Sequence, residues 1–176
     1  MKIGIDFDNT LVNTMEISKK YLDIYLPGNN LESYHNLDYD HELEFFEKYH
    51  LAITKELSLF PYVKEVFAYF KEKGIKTYLI TARGYDNPDL IEPTKEFLRK
   101  NNIQFDEMIF SCPKKSDVCK NLGIDLMIDD TLGVIENLKK IGINVLLYGS
   151  KSNECNYALD WEEVLNYLKK GELCEL

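Results

Sequence analysis

The stretch Lys2-Ile3-Gly4-Ile5-Asp6-Phe7-Asp8-Asn9-Thr10 decides the fold class of this chain. A short run of β-strand character is followed at once by two acidic residues and a threonine. Two later apolar runs end in a similar way, in Thr81-Ala82-Arg83 and in Asp129-Asp130. Helical patterns separate these runs, and strands that alternate with helices indicate a parallel sheet covered on both faces. We therefore predict an α/β fold with a doubly wound, Rossmann-like parallel sheet.

The hydrophobic pattern predicts five strands, at residues 2–5, 75–80, 107–110, 125–128 and 143–147. An amphipathic helix precedes the second strand, because four apolar residues recur there at helical spacing: Val63, Val66, Phe67 and Phe70. Pro61 near its start and Gly74 at its end fit the usual helix boundaries. Further helices are predicted at residues 89–100, 116–122, 132–140 and 161–170. The tail, residues 171–176, is expected to fray.

The segment between Leu11 and Pro61 interrupts this alternation, since it contains no convincing strand pattern. Asn13-Thr14-Met15-Glu16 resembles a capping box that opens a helix, which Pro27-Gly28 would close. A second helix is expected at about residues 41–57. We predict that residues 13–59 form a helical cap inserted after the first strand, and that residues 1–12 and 60–176 form the core domain.

Polar residues fall at three predicted strand ends, where open parallel sheets bind their ligands. Three strand ends would bring to one region the hydroxyl of Thr81 and four carboxylates, those of Asp6, Asp8, Asp129 and Asp130. Because like charges raise each other's pKa, a divalent cation would relieve the repulsion, and an oxygen-rich site suits Mg²⁺ better than zinc. Thr81 and a lysine at a helix start, Lys114 or Lys115, add groups that bind anions. The set predicts a site for a phosphoryl group.

These residues resemble the haloacid dehalogenase-like hydrolases. Asp6-Phe7-Asp8-Asn9-Thr10 matches their DxDxT signature, Thr81 is similar to the lone Thr or Ser of their second motif, and Asp129-Asp130 is similar to their acidic fourth motif. Their third motif is a lysine, for which we favour Lys115 over Lys114 because Lys115 stands directly at the predicted helix start. The order and spacing of the motifs cover the whole chain.

The resemblance implies a two-step phosphoryl transfer through an aspartyl-phosphate. It makes Asp6 the nucleophile and Asp8 the general acid and base. It implies that Mg²⁺ is held by Asp6, the main-chain carbonyl of Asp8 and Asp129, and by Asp130 either directly or through water. Thr81 and Lys115 are implied to be catalytic together with Asp6 and Asp8, because they would hold the phosphoryl oxygens and offset their charge. The expected substrate-binding residues are Thr10, Thr81, Ala82, Arg83 and Lys115. For Arg83, a contact with the substrate phosphate and a structural ion pair remain equally open.

The chain most resembles the 5′(3′)-deoxyribonucleotidases and their bacterial relatives, through the cap position, the Leu-Ile-Thr-Ala-Arg run and Met-Ile-Asp-Asp. This implies that a nucleoside monophosphate is the substrate, with its base stacked on cap aromatics. Asn9 departs from the Gly that the animal enzymes usually carry. Sugar phosphate, phosphoserine and phosphoglycolate stay open as substrates. Outside enzymes, the alternatives are a phosphometabolite sensor and a receiver-like phospho-acceptor.

The composition of this chain of 176 residues disfavours some classes of binding partner. A net charge of −9 disfavours duplex nucleic acid, and the sequence lacks an apolar run long enough to cross a membrane. The start of the chain does not resemble a secretory signal peptide, and the cysteines form no CxxC pair. We expect a cytoplasmic protein with four free thiols, Cys112, Cys119, Cys155 and Cys174. A homodimer is an open alternative to a monomer.

Overall fold

A computed structural model of the protein describes residues 1–171. Its centre is a six-stranded, all-parallel sheet with the strand order β3-β2-β1-β4-β5-β6. The strands are β1 (Lys2–Ile5), β2 (Lys76–Ile80), β3 (Glu107–Ile109), β4 (Leu126–Asp129), β5 (Asn144–Tyr148) and β6 (Tyr157–Ala158). The direction of the strand order reverses between β1 and β4, and ligands of doubly wound sheets bind beyond the carboxyl ends of the strands at that point.

The described residues contain seven α-helices. They are α1 (Thr14–Tyr25), α2 (Tyr39–Glu56), α3 (Val63–Glu72), α4 (Ile91–Lys100), α5 (Lys115–Leu122), α6 (Leu132–Lys140) and α7 (Trp161–Lys170). Two 3-10 turns occur at Tyr34–Asn36 and Pro88–Leu90. Of the helices described, none is long and apolar enough to cross a membrane.

The strands are buried on both faces, and alternate residues enter two different clusters. In β4, Leu126 and Ile128 pack into the cluster that contains residues of α3 and α7, while Met127 packs into the cluster that contains residues of α5 and α6. In β5, Leu146 likewise packs into the first of these clusters and Val145 into the second. This two-residue alternation confirms the predicted doubly wound α/β sheet, covered by helices on each side.

The five predicted strands and the helices of the core all occur, with ends displaced by one or two residues. The strand β6 was not predicted, since it is two residues long and pairs only with the end of β5. Cys112, Cys119 and Cys155 are free thiols, as expected. Residues 172–176 lie outside the described residues. They include Cys174, most of the tail that was expected to fray, and the end of the predicted core domain.

Residues 13–59 contain α1, a 3-10 turn and α2, and both ends of this segment lie side by side. Val12 forms an antiparallel bridge with Leu59, and Phe60 N donates to Leu11 O at 2.9 Å. The chain therefore leaves and re-enters the core through one narrow neck beside the end of β1. The division of the chain into a core and a separate cap remains a prediction.

The capping box predicted at Asn13 is wrong. The Asn13 side chain forms no hydrogen bond that caps α1; its amide donates to Glu16 Oε2 at 3.0 Å, and its Oδ1 accepts from Ser58 N at 2.9 Å. Asn13 thus connects the two ends of the segment, because Ser58 lies opposite it. The first turn of α1 is instead capped by Asn9, whose Oδ1 accepts from Met15 N at 2.7 Å.

Candidate active site

The predicted site residues follow the carboxyl ends of β1, β2 and β4, which are neighbours in the sheet. Asp6 comes directly after β1, where its main-chain N–H donates to Ile128 O at 3.0 Å. Asp129 is the last residue of β4, and Thr81 follows β2 directly. Parallel pairing at these positions brings residues far apart in the sequence to one edge of the sheet.

Lys115, the first residue of α5, lies between two of the carboxylates. Its Nζ donates to Asp6 Oδ1 at 2.5 Å and to Asp129 Oδ2 at 2.6 Å. The three side chains are buried, so these charge-assisted hydrogen bonds are little screened by water. Lys114 is exposed. The structure thus places Lys115, rather than Lys114, among the acidic residues.

The site carries more negative charge than Lys115 offsets. Burial raises the pKa of Asp6 to about 7; Lys115 opposes this shift, while the charges of Asp129, Asp130 and Asp8 add to it. Burial, followed by the charge of Asp129, also raises the pKa of Asp130 to about 6. Burial alone would lower the pKa of Lys115, but Asp6 and Asp129 outweigh it, and the net shift is upward. Lys115 is therefore a cation at neutral pH.

Asp8 lies in a different environment, paired with Arg83. Arg83 Nε donates to Asp8 Oδ2 at 2.9 Å and Nη2 to Asp8 Oδ1 at 2.5 Å, and Thr14 Oγ1 donates to Asp8 Oδ1 at 2.5 Å. Burial would raise the pKa of Asp8, but the charge and hydrogen bonds of Arg83 outweigh it and lower the pKa. Asp8 is ionised and fixed by three hydrogen bonds.

The other predicted site residues are Thr10, Thr81 and Ala82. Thr10 is buried, and its Oγ1 donates to Asp130 Oδ1 at 3.4 Å. The Thr10 carbonyl accepts from Trp161 Nε1 at 2.8 Å. Thr81 is buried, and its Oγ1 accepts from Arg83 N at 3.2 Å. Ala82 is exposed. All the predicted site residues thus belong to the ends of β1, β2 and β4 and the start of α5.

Asn9 stands where the predicted resemblance to the animal nucleotidases leads us to expect glycine. Its φ is 55°, in the left-handed region that glycine adopts without strain and that asparagine tolerates better than most residues. The same side chain caps α1 through Met15 N. An asparagine therefore provides the required backbone turn and an additional anchor for α1.

The chemistry of the donor set fits a hard divalent cation. The side chains that follow β1 and β4 supply carboxylate oxygens, which are the ligands that such a cation prefers. Burial is the main cause of the raised pKa of Asp6, and the charges of Asp129, Asp130 and Asp8 add to it, so a bound cation would relieve this repulsion. In residues 1–171, no three His, Cys, Asp or Glu side chains already stand in a metal-binding arrangement. Asp6 and Asp129 each direct one oxygen to Lys115.

Sequence reasoning missed the hydroxyl groups that surround Arg83 and Asp8. Thr14 begins α1, Thr54 lies near the end of α2, and Thr94 lies in α4. Arg83 Nη1 donates to Thr54 Oγ1 at 2.7 Å and to Thr94 Oγ1 at 3.4 Å. A threonine at a helix start six residues after Asp8 is a weak signal that could have identified Thr14. No sequence pattern links Thr54 or Thr94 to Arg83.

Aromatic residues of α2 and the preceding 3-10 turn lie close enough to Asp8 and Arg83 to be affected by their charges. Tyr34 stacks edge-on against Phe46 with ring centroids 4.7 Å apart, and Phe46 lies 4.5 Å from the His50 ring. Burial, and then the charge of Arg83, lowers the pKa of His50 to about 4, so His50 is neutral. Phe45 is fully buried and belongs to the core.

A cavity of about 380 Å³ opens beside Asp130. Its walls combine aromatic rings with polar groups, among them Asn9, Glu16, Phe60, Tyr148 and Ser150. A larger cavity, of about 630 Å³, lies at the opposite edge of the sheet, near the amino ends of β2 and β3. Of these two cavities, the smaller one adjoins Asp130 and offers space beside the acidic residues.

Comparison with known proteins reveals a likeness in structure. No protein-family model matches the chain, and no curated protein sequence matches it. A hydrolase of the haloacid dehalogenase-like family from Streptococcus pneumoniae matches with a TM-score of 0.70 and 18% sequence identity, over 95% of this chain and 97% of that one. A predicted phosphatase from Clostridium acetobutylicum matches with a TM-score of 0.71 and 13% identity, over 96% and 98% of the two chains.

The chain has the haloacid dehalogenase-like fold. A further match is CbbY from Rhodobacter sphaeroides, solved in complex with xylulose-(1,5)-bisphosphate, with a TM-score of 0.64 and 13% identity over 92% of this chain and 95% of that one. The resemblance predicted from Asp6-Phe7-Asp8-Asn9-Thr10 is thus confirmed at the level of the fold. The likeness to the nucleotidase branch remains a prediction, and the chemistry rests on this chain's own residues.

Proposed function

We propose that this chain is a Mg²⁺-dependent phosphatase that hydrolyses a small phosphate monoester through an aspartyl-phosphate intermediate. One observation carries the proposal: Lys115 Nζ contacts both Asp6 and Asp129 at the carboxyl ends of adjacent strands. A buried ammonium group that touches the nucleophile can also neutralise the phosphoryl group that the nucleophile attacks. The haloacid dehalogenase-like fold supports this proposal.

In the first step, an oxygen of Asp6 attacks phosphorus and the bond from phosphorus to the ester oxygen breaks. Asp8, which Arg83 keeps ionised in the free protein, takes up a proton from the monoanionic form of the substrate and gives it to that leaving oxygen. Lys115 and the Thr81 hydroxyl bind the phosphoryl oxygens and offset their charge. In the second step, Asp8 removes a proton from a water molecule that attacks phosphorus, which releases phosphate and restores the Asp6 carboxylate.

Mg²⁺ would be held by Asp6, the main-chain carbonyl of Asp8, Asp129 and Asp130. When bound, it would offset the repulsion between these carboxylates and the anionic substrate. The positions of Asp6, Asp129 and Asp130 after β1 and β4 support this assignment, because the charges of Asp129 and Asp130 add to the burial that raises the pKa of Asp6, and a bound cation would relieve that repulsion. Thr10 would orient Asp130 through its hydroxyl.

A nucleoside monophosphate is the substrate that we favour. The cavity beside Asp130 supports this choice, since its volume of about 380 Å³ can contain a nucleoside and two of its walls are the aromatic rings of Phe60 and Tyr148. A sugar phosphate is the second candidate, favoured by the sugar bisphosphate bound to the R. sphaeroides structure of the same fold.

The test is phosphate release from a panel of deoxy- and ribonucleotides, sugar phosphates, phosphoserine, phosphoglycolate and an aryl phosphate, with Mg²⁺ and with a chelator. We expect Mg²⁺-dependent turnover that falls at least about 10³-fold in Asp6→Asn, because the nucleophile is lost. Asp117→Asn removes an exposed carboxylate on α5 and serves as the matched control.

Each result of the panel has a distinct meaning. Turnover that survives in Asp6→Asn would contradict the aspartyl-phosphate mechanism. Sugar phosphates that turn over faster than every nucleotide would replace the favoured substrate by the second candidate. Turnover of none of the compounds, together with stabilisation of the protein by one of them, would favour the sensor alternative.

A further inference from the structure

Arg83 is the most completely enclosed charged group near the site. Its side chain is 0% exposed, whereas that of its partner Asp8 is 27% exposed. Its N–H groups are directed to four acceptors: both oxygens of Asp8, Thr54 Oγ1 and Thr94 Oγ1. Arg83 is thus inaccessible to a substrate, while the Asp8 side chain that it holds is partly exposed.

Arg83 is also fixed from its other sides. Its guanidinium carbon lies 4.8 Å from the centre of the Phe7 ring, and Phe7 separates Asp6 from Asp8 in the sequence. Its main-chain N–H donates to Thr81 Oγ1 at 3.2 Å, and its carbonyl accepts from Ser111 N at 2.9 Å. Contacts at both the backbone and the head group leave the guanidinium a single orientation.

We infer that Arg83 is a positioning residue for the general acid: its planar, two-point contact fixes the Asp8 carboxylate in the direction of the leaving oxygen. Thr54 belongs to α2, so the same guanidinium ties the orientation of Asp8 to the inserted segment. A lysine could not make the two-point contact, because an ammonium group lacks the planar fork. This inference rests on the proposed function.

The leaving group provides the test, because only a poor leaving group needs a proton. An alkyl phosphate releases a strongly basic oxygen, whereas an aryl phosphate with an electron-withdrawing ring releases a stable anion. The ratio of kcat/KM for these two substrates reports how well the acid is placed, since kcat/KM includes only the steps through departure of the leaving group. Measured on one preparation, the ratio is independent of the fraction of folded enzyme.

In Arg83→Met we expect this alkyl-to-aryl ratio to fall about 10- to 100-fold, a part of what a general acid contributes. Asp8→Asn supplies the reference for complete loss of the acid. Arg83→Lys keeps the charge without the fork, and we expect it to recover part of the ratio. Thr54→Val removes the tie to α2, so a smaller fall in the same direction is expected.

Arg99→Met is the matched control, because Arg99 is the chain's other arginine and is exposed on α4; its ratio should equal that of the wild type. If Arg83→Met changes both substrates equally, Arg83 is merely structural and the inference is overturned. A rise in the ratio would overturn it too, since Arg83 would then restrain the acid. If Arg83→Met does not fold, the ratio of Arg83→Lys decides.

The wild-type enzyme separates this inference from the proposed function. If it hydrolyses neither phosphate with Mg²⁺, the proposed function fails and the inference fails with it. If it hydrolyses both and the ratio is the same in wild type, Arg83→Met and Arg83→Lys, only the positioning role fails.

Discussion

Lys115 is the residue on which the stability of the acidic site depends most. Its ammonium group is held between Asp6 and Asp129, with all three side chains buried. In Lys115→Met, two buried carboxylates lose their shared cation, so we expect the free energy of unfolding to fall by about 3–5 kcal/mol. Urea unfolding followed by circular dichroism, in the presence of a chelator, measures this loss.

Lys114→Met is the control for that measurement, because it makes the same chemical change one residue earlier. Lys114 is exposed, and we expect its replacement to change stability by less than about 0.5 kcal/mol. Equal losses in the two variants would contradict the assignment of Lys115 as the buried partner of Asp6.

The sequence predicted these acidic residues and Lys115 because each stands at the end of a strand or the start of a helix. A rule about parallel sheets is enough to bring such residues together. The contacts of Arg83 with Thr54 and Thr94 could not be predicted in this way. They depend on how α2 packs over the core, and hydrophobic periodicity does not contain that information.

At the scale of the elements, Gly4 is the reason that β1 fits between β2 and β4. A Cβ at this position would lie 2.6 Å from Met127 Sδ and 3.1 Å from Ile80 Cδ1. We expect Gly4→Ala to destabilise the protein by about 1–3 kcal/mol, because neighbouring side chains in a packed core would have to shift. Urea unfolding of the variant tests this.

Gly133 provides the opposite case in the helix α6. A Cβ there would meet no atom within 4 Å among the described residues, and Gly133 does not have a positive φ. Gly133→Ala should therefore stabilise the protein by up to about 1 kcal/mol, since alanine favours the helix over the unfolded chain. The packing argument is contradicted if both glycine variants shift the unfolding midpoint in the same direction.

The elements themselves were predictable where long apolar patterns define them. The prediction at Asn13 was wrong because a capping signal is local, whereas the contact that takes the Asn13 side chain comes from Ser58 across the neck. The short strand β6 has no pattern of its own and exists because β5 offers it a free edge. Local propensity predicts little where a distant partner determines the structure.

For the whole molecule, the buried carboxyl groups make stability depend on pH. Burial is the main cause that raises the pKa of Asp6 from 3.8 to about 7 and that of Asp130 from 3.8 to about 6. Between pH 3.8 and their raised pKa values, these two groups bind more protons in the folded chain than in the unfolded chain. His50, whose pKa is lowered to about 4, offsets only part of this difference, so the free energy of unfolding should fall as pH rises from about 4 to about 7. Asp8, whose pKa is lowered, contributes stability above 3.8 that is lost as pH falls.

The expected decline is measured by urea unfolding at several pH values in a chelator, with Asp130→Asn as the comparison. This variant removes one of the two groups with a raised pKa, and its decline with pH should be shallower than that of the wild type. A decline of the same steepness in both proteins would show that Asp130 is not protonated more readily when folded.

Trp161 has a consequence for how this protein can be observed. It is the chain's only tryptophan, it is fully buried, and its indole N–H is bonded to the carbonyl of Thr10, four residues after Asp6. Indole fluorescence responds to nearby charge and to the strength of that hydrogen bond. The intrinsic emission of the protein therefore reports directly on the loop that follows β1. The binding of a metal ion or a phosphate analogue there would change the tryptophan fluorescence, so binding can be measured without a label and without turnover.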